Sequence, residues 1–240
     1  NNILLAHISI LLAKSKRGKG LYSEIKPALD QAFVILRQLV SEDHLYFGFA
    51  LHELGEYYSI IGDIKLAKEK YELALPIYET YYGLEHDMVY KIRTSISLFK
   101  FDLGYINYSL NEHSEILKGR ERIFGANHPL VGESHLYIGD CLRILGHFES
   151  SSQHYEQAEI IIKKNLTQEH PLFATIRYSQ AELARMSGKM EKSRMLHGEA
   201  MKIRREAYGK EHPDYVQSMQ GKADLDSNCD SNMEEIVTLL

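Results

Sequence analysis

The residues best suited to chemistry in this 240-residue chain are its twelve histidines. Imidazole is a frequent metal ligand and the usual acid–base group near neutral pH. Their spacing argues against both uses. His44, His86, His128, His170 and His212 lie 42 residues apart. Residues on successive packed helical layers sit about 10 Å apart, whereas the ligands of one zinc ion must each approach it to about 2 Å. The column is therefore structural, with each His at a helix start. Pro129, Pro171 and Pro213 follow three of these histidines, and Pro suits a first helical turn because its missing N–H has no partner there anyway.

Other fragments imitate catalytic or binding motifs. His52-Glu53-Leu54-Gly55-Glu56 opens like a zinc-protease helix but lacks the second His. Gly18-Lys19-Gly20-Leu21-Tyr22-Ser23 resembles part of a phosphate loop, yet it follows a helical pattern and lacks the final Gly. A hairpin turn accounts for it better. Asn107-Tyr108-Ser109 and Asn165-Leu166-Thr167 match glycosylation acceptors, which matter only in a secreted chain. In the tail, Asp224, Asp226, Asn228, Asp230, Asn232 and Glu235 fall at positions 1, 3, 5, 7, 9 and 12 of a calcium loop. Cys229 stands where the sharp turn wants Gly and Ser231 where an apolar residue belongs, so a polar linker is preferred to a metal site. No acid–base pair or nucleophile constellation follows from the spacing. The expectation is a non-enzyme without a cofactor or metal.

Composition narrows the partners. Lys and Arg total 28 against 33 Asp and Glu, a formal charge of -5, which lacks the basic footprint of a nucleic-acid binder. Two cysteines far apart, Cys141 and Cys229, exclude a disulfide framework and point to a reducing, cytoplasmic setting. The apolar run Ile3 to Ala13 is followed, not preceded, by Lys14-Ser15-Lys16-Arg17, and it is too short to span a bilayer. No membrane insertion is expected. The chain starts on this helical pattern without a Met, which suggests a larger parent protein.

The histidines are positioned by a repeat. Gly20, Gly62, Gly104, Gly146 and Gly188 keep the same 42-residue period, as does a small column of Ala13, Gly55, Ser97, Gly139 and Ala181. Three distinct columns at one period signal stacked supersecondary units. Leu51, Leu54, Gly55 and Tyr58, then Ala67, Tyr71, Ala74, Ile77 and Tyr81, are spaced as on two helices. Each unit is thus a helical hairpin, with the glycine between its helices and the His column between units. One hairpin cannot bury its own apolar face, so stability must come from neighbours. The organisation expected is an irregular first hairpin over 1–43, four repeats over 44–211, and a capping helix with a polar tail over 212–240, in one continuous solenoid. Ser23 is expected to cap the second helix and Pro27 to lie in its first turn. The last helix is expected over roughly Asp214 to Gln220, with a short one around Met233 to Leu240, and Pro76 should kink its helix.

A two-helix unit with these columns resembles the tetratricopeptide repeat, and the 42-residue version resembles the kinesin light chain type. Lys202-Ile203-Arg204-Arg205-Glu206-Ala207-Tyr208-Gly209-Lys210-Glu211-His212-Pro213 and Arg120-Glu121-Arg122-Ile123-Phe124-Gly125-Ala126-Asn127-His128-Pro129 carry the likeness. The resemblance implies an all-α, right-handed superhelical solenoid whose first helices line a concave groove. The family's paired asparagines are absent: the matching positions hold His52-Glu53, Thr94-Ser95, Leu136-Tyr137 and Tyr178-Ser179. The groove stripe, one residue off the core stripe, names Lys91, Leu98, Phe101, Leu136, Arg143, Tyr178 and Arg185 as partner-binding residues. That set suits a peptide or protein with an apolar anchor and acidic neighbours. Alternatively, Asp140 with Arg143 and Glu182 with Arg185 simply pair within their own helices. The function implied is an interaction scaffold or adaptor. The alternatives are a structural part of a cytoskeletal or ciliary assembly, or the regulatory repeats of a larger enzyme or signalling ATPase.

Overall fold

In the computed structural model, which describes residues 2–225, every regular element is helical. The helices are α1 (Ile3–Gly18), α2 (Ile25–Leu39), α3 (Leu45–Ile60), α4 (Ile64–Tyr82), α5 (Asp87–Asp102), α6 (Ile106–Phe124), α7 (Pro129–Ile144), α8 (Phe148–Asn165), α9 (Pro171–Met186) and α10 (Met190–Tyr208). A last helix, α11, is described over 213–225. Odd-numbered helices are the first of each hairpin and even-numbered ones the second.

The 42-residue columns explain where these helices start and stop. His44, His86, His128 and His170 are N-caps in extended backbone, and each Nδ1 accepts the N–H two residues on. His212 does the same for the N–H of Asp214 at 3.2 Å. An imidazole acceptor here meets one of the four amides that a helix start leaves unpaired, a contribution of about 1 kcal/mol when Ser, Thr, Asp or Asn supplies it. Aromatic residues closing the previous helix stack on these rings: Tyr82 on His86, Phe124 on His128 and Tyr208 on His212. Within hairpins the turn needs positive φ, as at Gly62 (79°) and Gly146 (82°), which only glycine adopts without cost.

The chain divides into two compact units, Asn1–Gly119 and Arg120–Leu240, with the division falling inside α6. In the first, Ala6, Ile10, Leu29, Leu36, Phe47 and Ala50 form the main core, where α2 packs between α1 and α3. In the second, Leu136, Tyr155, Ala158, Ile162, Phe173 and Ile176 join α7, α8 and α9. The repeat logic recurs in both, because each second helix buries one side in its own hairpin and another against the following first helix.

The ends depart from expectation. Ser23 is not a cap. A short 3₁₀ turn over Tyr22–Glu24 leads into α2, whose N-cap is Glu24 without a side-chain bond; Pro27 does sit in the first turn. α11 runs to 225 instead of stopping near Gln220. The stretch expected to form a helix at Met233 to Leu240 lies outside the described residues. Pro76 sits inside an unbroken α4, where its carbonyl accepts from Thr80 Oγ1 at 2.8 Å.

Candidate binding surface of the first helices

In the first unit the exposed edge of the first helices carries a polar lattice. Arg17 of α1 donates to Glu53 at 3.1 Å and reaches Glu56 at 3.0 Å, tying α1 to α3. His52 is buried and spans Tyr78 Oη at 3.1 Å and Ser95 Oγ at 3.0 Å. Burial pushes the His52 pKa down, although Glu56 and Glu53 oppose it. The Glu56 carboxyl would be raised by burial, but Arg17 and His52 together hold it below its ordinary value. Lys91 of α5 is held down to about 8 by burial and by the neighbouring Lys14 ammonium. Leu98 and Phe101 are half-buried on the same helix.

A seam within each hairpin explains the small column. A Cβ on Gly55 would come within 2.8 Å of the Tyr71 ring, and one on Gly139 within 2.5 Å of the Tyr155 ring. Each tyrosine lies across its glycine and donates to the next residue of the first helix, Tyr71 to Glu56 at 2.9 Å and Tyr155 to Asp140 at 2.7 Å. In α9/α10 the same columns hold Ala181, Glu182 and His197, and His197 Nε2 lies 3.2 Å from Glu182 Oε1.

The second unit brings Arg143, Tyr178 and Arg185 onto one face of α7 and α9. Arg143 approaches Asp140 at 3.6 Å and Tyr155 Oη at 3.3 Å, and Arg185 pairs with Glu182 at 2.6 Å. The within-helix pairing named as the alternative is therefore present. Burial raises the Asp140 carboxyl despite Arg143. Burial would also raise Glu182, but His197 and Arg185 hold it at about 2. Leu136 is a correction: it is fully buried in the core under α7 and cannot touch a partner. Its column drops between adjacent first helices, and only at Tyr178 does a longer side chain emerge, with the Arg204 guanidinium 4.9 Å from its ring.

Tyr178, Glu182 and Arg185 of α9, Met190 of α10, and Gln217, Gln220, Gly221, Asp224 and Leu225 of α11 line an open cleft of about 740 Å³. Lys91, Leu98 and Phe101 belong to the first unit and do not enter it. Asp224 lies in α11 and the rest of the expected calcium loop, Asp226 to Glu235, lies outside the described residues. Among the described residues no group of three or more His, Cys, Asp or Glu is placed to hold a metal ion. No described helix is long and apolar enough to cross a membrane.

The periodic reading missed two features. Arg204 is buried and donates to Asp214 O at 2.8 Å and Ser218 Oγ at 2.7 Å, fastening α11. Arg120, two periods earlier, donates to Leu130 O and Ser134 Oγ, both at 3.0 Å. Where the Arg column holds Leu36, Tyr78 or Ile162, the Ser column holds Ala50, Ile92 or Ile176. That paired change was visible in the sequence. The second feature is a hydrogen bond between His135 and His154, Nδ1 to Nδ1 at 2.9 Å, at the columns where Arg93 and Glu112 form an ion pair at 3.0 Å. Burial lowers both histidine pKa values.

Comparison with known proteins agrees with this architecture. The tetratricopeptide repeat family model matches residues 178–214. No curated protein sequence matches the chain. Among solved structures, the kinesin light chain nearly identical TPR-like repeats of Podosopora anserina share 17% identity, covering 86% of this chain and 98% of that one, with a TM-score of 0.62. BtubC (BKLC) from P. vanneervenii gives 18% identity, 86% and 82% coverage, and a TM-score of 0.64. A Rap protein complexed with Competence and Sporulation Factor gives 15% identity, 100% and 71% coverage, and a TM-score of 0.71. With one repeat matched by the family model, the 42-residue period throughout and this shared fold, the chain is a tetratricopeptide repeat protein of the kinesin light chain type.

Proposed function

We propose that this chain is a non-catalytic interaction scaffold that holds a peptide or protein against its first helices, with the α9–α11 cleft as the principal seat. The cleft carries the reading. Its volume of about 740 Å³ falls within the roughly 300–1,000 Å³ typical of ligand pockets. Its walls combine a tyrosine and a methionine for an apolar anchor, two glutamine amides for backbone groups, and Arg185 for an acidic neighbour. Arg185 is already paired with Glu182, so an incoming carboxylate competes for an exposed guanidinium that costs little to redirect. In the first unit, Lys91, Leu98 and Phe101 offer a second, smaller contact area for a longer partner, and Arg143 extends the cleft side. The likeness to the Rap protein supports the reading, since that protein was solved in complex with Competence and Sporulation Factor. A reducing, cytoplasmic setting fits the free Cys141, whose thiol burial pushes up to about 12.

Selection from a random peptide display library tests this. Enriched peptides should share an apolar residue beside Asp or Glu, and the double variant Tyr178→Ala with Arg185→Glu should weaken them at least tenfold while leaving helicity unchanged. Equal binding by the double variant would remove the cleft as the site.

A further inference from the structure

α1 carries an apolar face that nothing among the described residues covers. Leu4, Leu5, Ile8, Leu11 and Leu12 are 47–58% exposed, while Ala6, Ile10 and Ala13 face the core. One period on, these exposed positions are buried. Leu5 corresponds to Phe47, Val89 and Phe173, and Ile8 to Ala50, Ile92 and Ile176, all of them core residues in α3, α5 and α9. There the cover is the second helix of the preceding hairpin: α2 lies on α3, α4 on α5 and α8 on α9. The α1 face is thus a hairpin-stacking surface left open. Five large apolar side chains on one helix form the kind of contiguous patch that marks an interface.

The chain itself narrows the occupant. The second helices α2, α4, α8 and α10 are each already covered by the first helix that follows, the last through Arg204 and α11. Head-to-tail stacking would need a second helix with a free face, and none of these has one. What each copy does offer is the α1 stripe, which is uncharged and self-complementary. We propose that α1 pairs with α1 of a second copy, antiparallel about a two-fold axis near Ile8. Leu4 and Leu5 of each copy then face Leu11 and Leu12 of the other. Charge selects the antiparallel sense. The charged residues of α1 are Lys14, Lys16 and Arg17, all at its C-terminal end, and a parallel pair would bring six cations together, whereas the antiparallel pair separates them and opposes the helix dipoles. A closed two-fold dimer is the commonest outcome for a self-complementary patch.

Sedimentation equilibrium of the full chain from micromolar to high micromolar concentration tests this. The expected result is a reversible rise to twice the chain mass, lost in the double variant Ile8→Glu with Leu11→Glu and kept in Ile160→Glu, an equally exposed site on α8. Circular dichroism should show the same helix content in all three, since the substituted side chains are outside the core. In a Cys229→Ser background, Ile8→Cys should oxidise to a disulfide-linked dimer and Lys19→Cys should not. A chain that stays monomeric throughout the range overturns the proposal and leaves the face to a helix from another protein or a longer chain. A dimer that survives the double α1 variant overturns it equally.

Discussion

Hairpins α7/α8 and α9/α10 solve one packing problem with different residues. In the first, Gly139 leaves room for the whole Tyr155 ring, whose hydroxyl reaches Asp140 at 2.7 Å. In the second, Ala181 fills part of that room, the shorter His197 replaces the tyrosine, and Glu182 meets it at 3.2 Å. The quantity held constant is the summed volume across the seam, as expected for an interior packed like an organic crystal. Hairpin α3/α4 combines Gly55, Tyr71 and Glu56, so the acceptor's length is the looser member and the glycine–tyrosine pairing the tighter one. The two seams also differ electrically. Asp140, bonded mainly to a neutral hydroxyl, is raised by burial, whereas Glu182, between Arg185 and His197, is held at about 2.

Breaking the tighter pairing should have the largest effect. Gly139→Ala places a methyl 2.5 Å from a buried ring and should cost about 1–3 kcal/mol in urea unfolding. The same change in a Tyr155→His background should cost at least about 1 kcal/mol less, because the smaller ring restores the room that Ala181 enjoys beside His197; additive costs would refute the volume argument. Acid titration separates the two carboxylates by sign. Glu182 sits below its ordinary 4.5, so its stabilisation is present above that value and is lost as pH falls towards 2. Asp140 sits above its ordinary 3.8, so its folded form gains on protonation over the same fall. Glu182→Gln should therefore flatten the loss of urea midpoint below pH 4.5, and Asp140→Asn should not. The smallest effect is expected from Tyr155→Phe, about 1 kcal/mol for one hydrogen bond with the ring volume kept, read as a shift in the same midpoint.

Much of the fold was legible because its determinants are local and periodic. The His caps, the positive-φ glycines and the small seam column are each set by backbone geometry within a few residues, so one chain aligned on itself exposes them. The boundary at Ser23 was not, since a hydroxyl signals a cap only if the backbone turns there, and a 3₁₀ turn carries the chain past it to Glu24. The buried Arg120 and Arg204 were overlooked for a similar reason. A charged side chain reads as surface until a carbonyl and a serine on the next helix are seen to receive it.

The candidate site was read less well, and the column of His52, Thr94, Leu136 and Tyr178 shows why. The period put all four on one stripe, yet the first three are buried and only Tyr178 opens onto a cleft. The sequence alone determined that these residues are equivalent, because a 42-residue period and a helical repeat of 3.6 residues fix which positions share a face. Which of them meets a partner was decided only by the tertiary structure. A step of one residue turns a side chain by about 100° around its helix. Whether it then lands in a neighbouring helix or in the open depends on the size of the side chains packed beside it.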